Sequence, residues 1–73
     1  MKAISVRGLT VKYEDDAREG INYLLSDLDA EEAKVFFEQA KRKKFAKFED
    51  DRENQYTLSY NPDGTYTLSK REK

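Results

Sequence analysis

The stretch YTLSYNPDGTYTLSK, residues 56–70, carries the same tetrapeptide, YTLS, on both sides of NPDGT. Asn61-Pro62-Asp63-Gly64 holds the residues a type I turn prefers, Asn first and Pro second, with Gly where a left-handed residue closes a one-residue bulge. Such a turn sets Asn61 opposite Thr65 and dictates the pairing behind it: Tyr60 with Tyr66, Ser59 with Thr67, Leu58 with Leu68, Thr57 with Ser69, and Tyr56 with Lys70. One face then collects Tyr56, Leu58, Tyr60, Tyr66 and Leu68, and the other collects Thr57, Ser59, Thr67 and Ser69. A slip of one residue would mix the two sets. The repeat is therefore what a hairpin needs when one face rests on a core and the other meets water. If the hairpin lies at a sheet edge, a partner chain could add there, and Lys70, Arg71 and Lys73 would guard it against unwanted pairing.

Upstream, Ile4 and Val6 alternate in one parity and Leu9, Val11 and Tyr13 in the other, with the change at Arg7-Gly8. A two-residue hairpin turn explains the flip, and so does one long strand with a Gly bulge. Ala17, Ile21, Leu24, Leu25 and Leu28 then recur at helical spacing, and Asp16 with Glu19 marks a helix start. Gly20 costs that helix about 1 kcal/mol relative to Ala, so the helix needs the core to hold it. A second start, Asp29 with Glu32, opens a helix whose buried face is Ala33, Phe36, Phe37 and Ala40, with acids in its first turn and cations in its last. A continued helix would place Lys44 in the apolar stripe, so the helix is expected to end near Lys43. Residues 44–48 then read as a short strand, with an extension of the helix to Phe48 as the rival, and a turn follows at Asp50–Asn54.

The expected architecture is α+β in a single small domain, 1–73: an N-terminal β-hairpin or bulged strand, two short helices, and a C-terminal antiparallel β-meander ending in a tight hairpin, with the helices on one face of the sheet. The core is expected from Ile4, Val6, Leu9, Val11, Ile21, Leu24, Leu25, Leu28, Phe36, Phe37, Ala40, Phe48, Leu58 and Leu68, with Tyr56, Tyr60 and Tyr66 partly buried. At 73 residues, with four Phe, five Tyr, six Leu, three Val and two Ile, nearly every large apolar side chain is needed for that core.

The chain has no His, Cys or Trp and only three Gly, all isolated. Ser-His and Cys-His nucleophiles, thiolate or His-rich metal sites, disulfides and Gly-rich phosphate loops are all unavailable. The carboxylate pairs Asp15-Asp16 and Asp50-Asp51 sit in acidic runs, without the alternating ligands of a calcium loop. No enzymatic activity and no cofactor or metal is expected. There is no apolar run of signal-peptide or membrane-span length, so no membrane partner is expected and the cytoplasm is the default location.

Net charge is -1, yet the charges are segregated. Glu14 to Glu32 holds eight acids against Arg18 alone, Lys41 to Lys47 holds five cations and no acid, and Glu49 to Glu53 is acidic again. This dipolar layout favours a small accessory or regulatory module that acts by protein–protein contact, as a monomer or weak homodimer. The acidic run admits docking on a basic surface, although solvation and helix capping are the simpler explanation. The competing function is a nucleic-acid accessory. Lys41, Arg42, Lys43, Lys44 and Lys47 would meet phosphates there, with Lys70 and Arg71 added if folding brings them near, and Phe45 or Phe48 would stack on a base.

Overall fold

The computed structural model describes residues 1–71. Strands β1 (Lys2–Val6) and β2 (Leu9–Tyr13) form a hairpin. Arg7 and Gly8 both take positive φ, 51° and 84°, the mirror-image turn whose twist matches a two-residue hairpin. The parity flip at Arg7-Gly8 is thus a turn and not a bulge.

The chain next makes a 3-10 turn (Asp15–Ala17), a short helix α1 (Arg18–Asn22) and a π-helical turn (Tyr23–Asp27). Helix α2 (Ala30–Lys43) starts at the expected capping box, in which Glu32 N donates to Asp29 Oδ1 at 2.8 Å and Asp29 N donates to Glu32 Oε1 at 3.4 Å. It stops at Lys44, which turns left-handed at φ 79°, and the chain continues directly as strand β3 (Phe45–Glu49). Residues 45–49 are therefore strand.

Strands β4 (Gln55–Tyr60) and β5 (Tyr66–Arg71) complete the meander in the expected register, Tyr60 opposite Tyr66 through Tyr56 opposite Lys70. In the turn between them, Gly64 N donates to Asn61 O at 3.0 Å and Asn61 N donates to Thr65 O at 2.8 Å. Gly64 sits at φ 89°, with open space where a Cβ would lie. A Gly64→Val substitution therefore meets a backbone penalty alone, expected to lower stability by about 1 kcal/mol or more. A thermal melt that does not move would disprove the turn.

All five strands join one sheet in the order β1-β2-β5-β4-β3. The sheet is mixed and not purely antiparallel, because β2 and β5 run parallel, with Val11, Lys12 and Tyr13 beside Tyr66, Thr67 and Leu68. β5 lies between β2 and β4, but its pairing with β2 ends at Leu68, so Lys70 and Arg71 extend past β2 and pair with β4 alone. The outermost strands are β1 and β3. Lys73 lies outside the described residues.

The helical layer covers one face of the sheet, where Val6, Val11, Leu58 and Leu68 meet Ile21, Leu24, Phe37 and Ala40. Several burial depths differ from expectation. Ile4, Leu9, Leu25 and Phe36 are only partly buried, Tyr56 is wholly buried at 0 % exposure, and Tyr13, Ala46 and Tyr66 also belong to the core. Arg7 reaches from its turn to the end of the π-turn, donating through Nε to Leu24 O at 3.1 Å and through Nη2 to Leu25 O at 3.1 Å and to Leu28 O. It supplies donors to carbonyls that a helix end leaves unpaired.

Candidate functional site

The alternation of the strands gives the sheet a second face that no helix covers. The repeat contributes Thr57, Ser59, Thr67 and Ser69, as the pairing register requires. Their cross-strand neighbours on that face are Lys12 beside Thr67, Phe45 opposite Ser59, Lys47 opposite Thr57, and Glu49 opposite Gln55. Phe45 is 48 % exposed, a large aromatic ring in water. Lys47 Nζ stands 5.6 Å from its centroid, a cation–π contact. Of the charged groups on β3, β4 and β5 that share this face, Lys47 and Arg71 are cationic and Glu49 is acidic.

The basic residues do not form one patch. Lys41, Arg42 and Lys43 are exposed on the last turn of α2, Lys44 is its left-handed cap, and Lys47 follows on β3, so these five surround the α2–β3 junction. Lys70 and Arg71 lie at the far end of β5, with Arg71 opposite Gln55, which is itself opposite Glu49. That row is four residues along β3 from Phe45, about 13 Å at strand rise. Lys70 projects on the helix side, opposite the buried Tyr56. Arg71 is half-buried on the open face, and its Nε finds no hydrogen-bond acceptor among the described residues.

The acidic segments are largely engaged in holding the fold. Glu14 approaches the N-terminal ammonium at 3.9 Å, Asp15 pairs with Lys2 at 2.8 Å, Glu19 with Arg52 at 3.4 Å, and Asp29 and Glu32 close the capping box. Asp50 organises its own loop: Oδ1 accepts from Arg52 N and Asn54 N, each at 2.9 Å, and Oδ2 accepts from Asn54 Nδ2 and Tyr56 Oη, each at 3.2 Å. A shallow polar cleft of about 280 Å³ is lined by Glu19, Asn22, Asp27 and Arg52. Its Glu19 is held by Arg52 and by Asn54, whose Nδ2 donates at 3.0 Å.

The contacts of Asp50 shift its own titration and that of Tyr56. Burial acts to raise the Asp50 carboxyl, but the hydrogen bonds from Asn54, Arg52 and Tyr56 outweigh it and hold the group below its ordinary value of 3.8. Burial, then the charge and hydrogen bond of Asp50, push the Tyr56 hydroxyl up to about 12. A carboxyl whose value is lowered by folding stabilises the protein above the unfolded value and loses that contribution as pH falls through the lowered one. Asp50→Asn is thus expected to be less stable than the parent near neutrality, with the gap closing below about pH 3.8. Urea midpoints measured at about pH 7 and about pH 3 check this: the gap is expected to narrow between them, and a gap as large at about pH 3 as at about pH 7 would contradict it.

Phe45 was legible in the sequence only as a ring that could stack on a base, not as an exposed aromatic on a sheet edge. Its parity, off the Ala46 and Phe48 face, was the signal. Among the described residues, no helix is long and apolar enough to cross a membrane. In comparisons with known proteins, no family model matches this chain, and neither a curated protein nor a solved structure matches it.

Proposed function

We propose that this protein is a non-enzymatic accessory module that works by contact with another protein, using the uncovered sheet face and the free edge at β3. The observation that carries this reading is Phe45. In a chain with few large apolar residues, one aromatic ring is left nearly half exposed on an edge strand, beside Lys47 and a hydroxyl-rich surface. Aromatic rings ringed by polar groups are typical anchors of protein interfaces. The carboxylate pairs support the same reading from the other side, since Asp15 is taken up by Lys2 and Asp50 by its own loop.

The test places a photo-reactive benzoylphenylalanine at position 45 and, as control, at Ser26. The expected result is a protein adduct at position 45 alone that unlabelled protein competes away and Lys47→Glu weakens. Equal labelling at both positions would overturn the proposal.

A second reading, a nucleic-acid accessory, is supported by Lys41, Arg42, Lys43, Lys44 and Lys47: all five are exposed, and none forms an ion pair among the described residues. It predicts DNA or RNA binding that falls steeply with salt and is lost on charge reversal of Lys43 and Lys44. A flat titration at low salt rules it out.

A further inference from the structure

The backbone of β3 states which of its groups are still free. Tyr60 N donates to Lys44 O and Asp50 N donates to Asn54 O, each at 3.0 Å. Bonded pairs alternate along an antiparallel ladder, so Ala46 and Phe48 also bond towards β4, whereas the N–H and C=O groups of Phe45, Lys47 and Glu49 point away from the sheet. A strand added to this edge bonds to groups among those three residues.

We propose that the added strand is β3 of a second copy, paired antiparallel across a two-fold axis at Phe48, so that two five-stranded sheets become one. This rests on β3 being a contact edge, as proposed above, and names the partner. The outward groups of two copies meet only if Phe45, Lys47 and Glu49 align among themselves. Centred on Lys47, the pairing would set Lys47 against Lys47 of the second copy, and like charges directly opposite are destabilising. Moving the axis to Phe48 sets Lys47 against Glu49 of the second copy, and by symmetry does so twice.

The wider charge layout agrees with that register. Cations lead into β3 at Lys41 to Lys44 and acids close it and run on at Glu49 to Asp51, so an antiparallel partner brings the basic end of each copy to the acidic end of the other. On the helix side, Phe48 is ringed by Phe36 at 5.2 Å and Tyr23 at 5.9 Å, and both of these rings are half-buried. An axis at Phe48 sets this aromatic cluster beside its own copy, where apolar area remains to be covered. The other edge, β1, offers Ala3 and Ser5 and no opposed charges to select a partner.

Sedimentation equilibrium decides the matter. A monomer–dimer equilibrium is expected, and Lys47→Glu or Glu49→Lys alone should raise its dissociation constant about tenfold or more, because each change turns two attractions into two repulsions. The double variant, Lys47→Glu with Glu49→Lys, restores the charge pairing and should recover the dimer. Amide exchange at Lys47 and Glu49 should slow as concentration rises, while Ala3 and Ser5 do not change. A protein that stays monomeric at millimolar concentration, or a double variant that stays dissociated, overturns the proposal. A specific adduct to a different protein from position 45 would still stand in that event, so the two readings fail separately.

Discussion

Gly20→Ala is expected to lower the melting temperature, although alanine is the better helix former. In an exposed helix the exchange would gain about 1 kcal/mol. At Gly20, however, an added Cβ would lie 2.8 Å from Tyr56 Cε1, 2.9 Å from Tyr56 Cδ1 and 3.0 Å from Leu68 Cδ2. Neither neighbour is free to yield. The Tyr56 ring is wholly buried, stacks on Phe48 at 5.4 Å, and is tethered through its hydroxyl to Asp50, while Leu68 is 1 % exposed in the central strand. Overfilling a packed core costs about 1–3 kcal/mol, and larger residues at this site cost more. Set against the helix gain, the expected net loss is up to about 2 kcal/mol, where each kcal/mol moves the midpoint of a domain this size by about 4–8 °C. A melting temperature that rises would mean α1 does not lie this close to the sheet.

Arg7→Ala is expected to cost about 1–2 kcal/mol, as the loss of charge-assisted hydrogen bonds, two of them part-buried and one exposed. Arg7 occupies a left-handed turn position, φ 51°, that Asn or Gly fills with less strain. Its guanidinium reaches Leu24, Leu25 and Leu28, joining the N-terminal hairpin to the end of the helical segment. Arg7→Asn separates the two effects, since it eases the turn and still removes the donors. Urea unfolding should place it well below the parent. An Arg7→Asn variant as stable as the parent would show that the three hydrogen bonds contribute no more than the turn strain they offset.

The parts of this fold that could be read from sequence are those with local causes. The Asn61–Gly64 turn sets its own register, and Asp29 with Glu32 places the start of α2, each within a few residues. The pairing of β2 with β5 has no such cause. Val11 meets Tyr66 across almost the whole chain, and either strand could equally have been an edge. The contacts of Arg7 are non-local in the same way. Leu25 and Leu28 fit a helical stripe, but the π-turn at Tyr23–Asp27 changes the phase of that stripe, leaving Leu25 half-buried and Leu28 beyond the helix. In the site, the cations around Lys41 to Lys47 were legible as a run of charge. Their separation from Lys70 and Arg71 depends on strand order, which the run does not encode.

The position of β5 bears on how the molecule comes together in time. Its two neighbours are the strand that closes the N-terminal hairpin and the strand that opens the C-terminal one. The β1–β2 pair therefore has no sheet to join until residues 66–71 exist, and an isolated two-stranded hairpin is marginal in water. Helix α1 is equally dependent, because Gly20 packs on Tyr56 and Leu68. Assembly must close the longest loop in the chain before the early segments gain stability, which slows folding relative to a domain of local contacts and makes it all-or-none. While this chain is being synthesised, its N-terminal hairpin and α1 have no sheet to rest on until the last strand is made.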